Sequence, residues 1–194
     1  MATLFYLMGA SGSGKDTLLG ATLERLQQQP EHRALVPRLV QRAITRPADA
    51  GGEEHRSVDV EEFKSMRESG KFCMHWQAHG FHYGIPVEIL EWVGAGQNVL
   101  VNGSRAYLPE AIKVIPGLVP VLIEVSVGTL KTRLQNRQRE TDDAISARLS
   151  RRVDMGGEKE FAESGIVVIN NEQELTESVR QFCALIVSRS EDQK

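Results

Sequence analysis

A glycine-rich turn, Gly9-Ala-Ser-Gly-Ser-Gly-Lys15-Asp16-Thr17, constrains this chain more than any other stretch. It matches G-x-x-x-x-G-K, follows the apolar run Leu4–Met8 and precedes a helix-forming segment at residues 17–29. Strand, glycine turn and helix start are the context that a Walker A phosphate loop requires. Glycines let the backbone curl so that successive N–H groups converge on an anion. The helix N-terminus adds partial positive charge, and Lys15 supplies a full one. The candidate phosphate site is therefore Gly9, Ala10, Ser11, Gly12, Ser13, Gly14, Lys15, Asp16 and Thr17. Asp16 stands where Ser or Thr ordinarily meets magnesium, which makes it the candidate metal ligand.

A chain of 194 residues is long enough for one well-buried domain. Its net charge of −3 gives no general reason to expect nucleic acid or an anionic membrane as partner. No apolar run approaches the roughly 20 residues of a membrane span. Leu4–Met8 has no basic residue before it and is too short for a signal-peptide core, so it reads as a buried first strand. Cys73 and Cys183 lie far apart without metal-ligand spacing, which points to a reduced, cytoplasmic setting.

Apolar runs at 35–40, 98–102, 119–125 and 165–170 read as further strands, alternating with helical patterns at 86–95, 111–114, 127–139, 142–153 and 175–187. This alternation predicts an α/β fold, a parallel five-stranded sheet with helices on both faces. Between about 42 and 86 the composition changes. Asp59 caps a short helix with Glu62 three residues on, and two short strands flank Gly80. This stretch reads as a small inserted lobe, leaving a core of 1–41 and 87–194.

Ligands of such sheets bind beyond the carboxyl ends of the strands. Four segments fall there: the loop, Arg42 to Arg46, the turn Asn102-Gly-Ser104-Arg105, and Asn170. Arg137, Arg139 and Arg148 lie on or beside a connection between two basic helices. There they can close over a transferring phosphoryl group as a lid at about 137–147. His75, His79 and His82 do not have a convincing metal spacing. His82-Tyr83, beside Gly84, is better placed to meet a substrate phosphate.

On these residues the chain resembles the guanylate kinase family of nucleoside monophosphate kinases. The resemblance runs through the loop, Thr45-Arg46, Glu61-Glu62-Phe63, Tyr83-Gly84, Arg137-x-Arg139 and the strand ending in Asn170. It implies a phosphate-loop NTPase fold with a substrate lobe and an arginine lid. It also implies ATP with magnesium, and an Asn170 near the adenine. The departures fall where guanylate kinases read guanine and its phosphate. Their acidic residue falls near Met74 and their hydroxyl residue at Arg42. Their Asp-x-Asp pair becomes Asn102 and Ser104, a second arginine becomes Asp49, and two tyrosines fall near His55 and His82. Losing a buried carboxylate partner to a base costs on the order of 10⁴-fold in discrimination, so GMP is a poor acceptor.

A closer resemblance is to the ribose 1,5-bisphosphate phosphokinase family, carried by Lys15-Asp16, Ile44-Thr-Arg46, Tyr83-Gly84 and Val101-Asn-Gly-Ser-Arg-Ala106. It implies an ATP-dependent kinase making 5-phosphoribosyl 1-diphosphate and ADP, in phosphonate breakdown. It also implies that Arg42, Arg46, His55, His82, Tyr83, Asn102, Ser104 and Arg105 bind the small-molecule sugar bisphosphate. The alternatives are another nucleotide or small-molecule kinase on this fold and a non-catalytic binding module. Such modules tend to lose the loop lysine and lid arginines, which are all present here. Oligomeric state is left open.

Overall fold

Strand β1 (Leu4–Met8) is buried along its whole length because it runs parallel to a neighbour on each side. The computed structural model describes residues 2–50, 53–136, 165–172 and 174–191. After β1 come helix α1 (Lys15–Gln28), strands β2 (Arg38–Leu39), β3 (Ala43–Ile44) and β4 (Arg56–Ser57), and helix α2 (Val60–Glu68). A hairpin follows, β5 (Phe72–Ala78) and β6 (Phe81–Pro86), then α3 (Ile89–Gly94), β7 (Val99–Asn102) and α4 (Leu108–Val114). The last described elements are β8 (Val119–Glu124), α5 (Val127–Asn136), β9 (Val167–Asn170) and α6 (Leu175–Glu191).

The main sheet has the order β2-β7-β1-β8-β9 and every pairing in it is parallel. The sequence pattern predicts this five-stranded sheet, and the chain forms it. Side chains of β1 alternate between the faces, as the two-residue period of a strand demands. Phe5 and Leu7 join the cluster containing Leu18 and Leu26 of α1 with Val179, Phe182 and Ile186 of α6. Phe182 meets Phe5 edge-on, with ring centroids 6.2 Å apart. Leu4, Tyr6 and Met8 face the other way, packing with Ile89 of α3, Ala111 of α4 and Met74 and Ile85 of the hairpin.

The second sheet, β4-β3-β6-β5, lies wholly within residues 43–86. Its hairpin turns at His79 and Gly80, whose φ angles are 52° and 79°. Positive φ at both central positions is the requirement of a type I′ turn. Asp59 caps α2 by accepting from the Glu62 N–H at 2.7 Å, as its spacing predicts.

Two elements are four residues shorter than the pattern predicts. The strand expected over 35–40 contracts to Arg38–Leu39, because residues 33–35 form a 3₁₀ turn and Pro37 has no N–H to pair. The helix expected over 86–95 starts only at Ile89, because Pro86 is still paired with Phe72 at the end of β6. The helix expected over 127–139 is described through Asn136. That expected over 142–153 lies outside the described residues, as does the lid at 137–147. Among the described residues no helix is long and apolar enough to cross a membrane.

Candidate active site

The phosphate loop leaves the carboxyl end of the central strand, where the chain passes from β1 into α1. Gly14 caps α1 with φ +85°, a conformation that favours glycine. A Cβ there would stand 2.6 Å from Asn171 Nδ2, so space as well as conformation excludes a side chain. Asn171 is buried, and its amide donates to the Ser13 carbonyl at 2.8 Å. Arg133 of α5 donates from Nη1 to the same carbonyl at 3.2 Å and from Nη2 to the Asn171 carbonyl at 3.0 Å. Two distant side chains thus brace the loop from behind.

The brace is itself anchored. Glu172 accepts from the Ser126 N–H, the Ser126 hydroxyl and the Thr129 hydroxyl at the start of α5. The two hydroxyls and that N–H bring its carboxyl down to about 2. A carboxylate at a helix N-terminus is also favoured by the helix dipole, and it holds α5, hence Arg133, against the end of β9.

Lys15 folds its ammonium back onto its own loop, donating to the Gly9 carbonyl at 2.9 Å and the Ala10 carbonyl at 3.2 Å. Burial brings its pKa down to about 8; Asp16 opposes the shift, Arg42 adds to it, Glu53 opposes it and Arg105 adds to it. The charges that act on Lys15 therefore come from the loop, the second sheet's segment and the turn after β7. Nucleotide phosphates add negative charge beside the ammonium and raise its pKa. Affinity should accordingly be full below about pH 8 and decline as pH rises through that value. Calorimetric titration with ATP at that pH, in buffers of differing ionisation enthalpy, should show uptake of about half a proton. The uptake should vanish in Lys15→Met; equal uptake by both proteins would contradict this account of Lys15.

Arg42 lies against Tyr83 and Trp76, its guanidinium carbon 5.0 and 5.6 Å from their ring centroids. Tyr83 and Trp76 are themselves stacked, 5.5 Å apart. Arg42 donates from Nε to Glu53 Oε1 at 2.7 Å, and its Nη2 lies 2.6 Å from the same oxygen. Asn102, at the end of β7, donates its amide to the other Glu53 oxygen. Glu53 thereby joins the segment before β3 to the main sheet beside the loop. Next to it, His55 is buried, with Nε2 3.0 Å from the Arg46 carbonyl and Nδ1 3.0 Å from the Glu53 carbonyl. The Arg46 Nη2 stands 3.4 Å from His55 Nδ1, while its Nε is buried with no partner among the described residues.

The turn bearing Asn102, Ser104 and Arg105 is held by Tyr6. Its hydroxyl accepts from the Ser104 N–H at 2.9 Å and donates to the Ser104 carbonyl at 3.1 Å. Burial pushes this hydroxyl up to about 12, which keeps it a donor at neutral pH.

Of the residues read from the sequence, the loop, Arg42, Arg46, His55, Asn102, Ser104, Arg105 and Tyr83 are brought to one end of the sheet. Asp16 and Thr17 are exposed on the first turn of α1, and Ser11 is exposed on the loop. His82 stacks on Phe63, 5.3 Å between centroids, and its N–H donates to Thr45 Oγ1 at 2.8 Å. His75 and His79 are exposed. Asn170 accepts the Glu172 N–H on Oδ1 at 2.9 Å. Arg137, Arg139 and Arg148 lie outside the described residues. The sequence reading assigned no role to Glu53, Asn171, Tyr6 or Arg133.

The fold and loop define a phosphate-loop protein of guanylate kinase type. A guanylate kinase from Anaplasma phagocytophilum superposes with a TM-score of 0.67 at 17% identity, over 97% of this chain and 87% of its own. A gluconokinase from Sinorhizobium meliloti reaches 0.52 at 19% identity, over 98% and 94%. No protein-family model matches. Ribose 1,5-bisphosphate phosphokinase PhnN of Thiobacillus denitrificans is 44% identical over 174 residues, 89% of this chain and 86% of that protein. The proteins of the same name from Pseudomonas paraeruginosa and Dickeya zeae are 42% and 40% identical, over 93% and 99% of this chain and 93% and 97% of their own. The chain belongs to the ribose 1,5-bisphosphate phosphokinase family.

Proposed function

We propose that this protein transfers the γ-phosphoryl group of ATP to the 1-phosphate of ribose 1,5-bisphosphate, giving 5-phosphoribosyl 1-diphosphate and ADP. The observation that carries this reading is the 44%, 42% and 40% identity, over nearly the whole chain, to proteins named for that substrate. An oxygen of the acceptor's 1-phosphate attacks the γ-phosphorus, and the bond from that phosphorus to the β–γ bridging oxygen breaks. No general base is required, because a phosphate monoester is largely doubly ionised near neutral pH, its second pKa being about 6. Catalysis then consists of positioning and of stabilising spread negative charge.

In this reading the loop N–H groups hold the β-phosphate, and Lys15 turns from the Gly9 and Ala10 carbonyls to bridge β and γ. Asn170 borders the adenine. Arg137, Arg139 and Arg148 close over the transferring group. Arg42, Arg46, His55, His82, Tyr83, Ser104 and Arg105 serve the acceptor, within a substrate lobe of about 42–86. The buried Nε of Arg46, without a partner among the described residues, supports an anion there, since a buried cationic donor without an acceptor is costly. Arg42 holds Glu53 through Nε and Nη2, and in this reading its Nη1 serves the phosphate.

Magnesium fits this site as an ion held chiefly by phosphate oxygens and water. Among the described residues no group of three or more His, Cys, Asp and Glu side chains could hold a metal ion alone. Asp16, exposed at the start of α1, offers it one carboxylate, with Thr17 adjacent. When bound, the ion neutralises charge on the β- and γ-phosphates. Both cysteines are free thiols, which supports a cytoplasmic setting. Transfer of label from γ-labelled ATP to ribose 1,5-bisphosphate tests the reading; ATP consumption that does not depend on this acceptor would overturn it.

A further inference from the structure

We propose that Asn102 and Glu53 together recognise the free hydroxyl groups of the acceptor's ribose ring. The inference rests on the proposed sugar bisphosphate substrate and names the groups that select the sugar. The cations gathered here, Lys15, Arg42 and Arg105, are donors only. They hold phosphate oxygens but offer nothing to the hydrogen of a hydroxyl. A ring with two free hydroxyls needs acceptors.

Two acceptors stand side by side at the end of β7. Asn102 is 5% exposed, and its Oδ1 is buried with no hydrogen-bond partner among the described residues. Its Nδ2 is committed to Glu53, so the amide cannot turn over to relieve the oxygen without breaking that bond. A buried carbonyl left unpaired in a folded protein calls for an explanation, and an absent ligand donor supplies one. Glu53 is held just as firmly. Its Oε1 takes both Arg42 contacts and its Oε2 takes the Asn102 amide, with the two charged side chains 12% and 13% exposed. Oε1 is filled by the two Arg42 donors, while Oε2, with the Asn102 amide alone, keeps capacity for a further donor.

The pairing suits the position. Asn102 is opposite Leu7 in the sheet, two residues before the phosphate loop begins. Glu53 acts electrostatically on Lys15. An acceptor reaching toward the γ-phosphate therefore passes this edge.

The test is the kinetics of the wild-type protein with ribose 1,5-bisphosphate and with its 2-deoxy and 3-deoxy analogues, at saturating ATP and magnesium. Removing a hydroxyl returns a buried acceptor to its unpaired state, so kcat/KM should fall about 10- to 100-fold for at least one analogue. The same ratio is then measured in Asn102→Ala and Glu53→Gln. Discrimination should collapse toward unity in the alanine variant and shrink in the other. A ratio taken within one protein is insensitive to the fraction that has folded. Equal turnover of all three sugars by wild type, or full discrimination retained in both variants, would overturn the inference. So would an Asn102→Ala protein whose discrimination is unchanged while its magnesium requirement shifts, because the orphan carbonyl would then serve a metal-bound water. A wild type that phosphorylates none of the sugars sinks the functional reading itself, and this inference with it.

Discussion

Replacing Lys15 by alanine should lower kcat/KM for ATP by about 10²- to 10³-fold, the range for removing one group that stabilises charge developing at a reacting centre. The expectation follows from where the ammonium sits. It is half-buried against the loop carbonyls and balanced by Asp16 and Glu53 against Arg42 and Arg105. No neighbour can substitute, since Arg42 is already committed to Glu53 at 2.6 Å. The variant should remain folded. The folded state lowers the Lys15 pKa to about 8, so at neutral pH the charged form is disfavoured by folding, and removing it relieves that cost. Steady-state kinetics paired with a thermal melt separates the two effects. Activity within tenfold of wild type, or a melt that collapses with the activity, would contradict the assigned role.

Substitution of Gly103 is the second large effect, and it acts through space rather than backbone conformation. A Cβ at this position would run into the ring of Tyr6. That ring is fully buried in β1 and cannot move without disturbing the cluster of Leu4, Met8, Val99 and Val101. Displacing it also breaks both bonds between the Tyr6 hydroxyl and the backbone of Ser104. Overpacking of about 1–3 kcal/mol plus loss of buried hydrogen bonds gives an expected cost of about 2–4 kcal/mol for Gly103→Ala. Chemical denaturation measures this directly. Activity should fall too, because Asn102 and Arg105 flank the displaced turn. A cost below about 0.5 kcal/mol, the level of an inert surface change, would show that the close packing of Tyr6 and Gly103 has been misjudged.

Features written in consecutive residues were legible in the sequence. The apolar run Leu4–Met8 marks a strand with a neighbour on each side, and G-x-x-x-x-G-K states its own function through local geometry. Asp59 and Glu62 announce a helix start at a spacing that needs no tertiary information. The edges of elements were less legible, because pairing partners decide them. Pro86 ends a strand only because Phe72 lies across from it, and Leu35 leaves the sheet for a 3₁₀ turn.

The parts of the site that escaped are those made by distant residues. Glu53 sits in a polar stretch that reads as a loop, and its contact with Asn102 spans 49 positions. The Asp-x-Asp pair of guanylate kinases becomes Asn102 and Ser104 here, so the sequence offers no carboxylate at this turn. The structure adds Glu53 from the other side of the chain's fold. Asn171 follows the Asn170 of the recognisable strand end, and nothing in the pair says which is buried. Only packing on Ser13, 158 positions away, decides it. Tyr6 was read as one more apolar residue of β1, yet its hydroxyl carries the turn on which three candidate site residues stand.

The central claim is the acceptor, and an acceptor panel tests it most directly. ATP and magnesium are incubated with the protein and, in separate reactions, ribose 1,5-bisphosphate, GMP or ribose 5-phosphate. Products are then identified by mass. Formation of 5-phosphoribosyl 1-diphosphate from ribose 1,5-bisphosphate, with the other two acceptors at least 100-fold slower on the order expected for a missing matched partner, is the predicted result. Product formation from GMP with none from ribose 1,5-bisphosphate would contradict it.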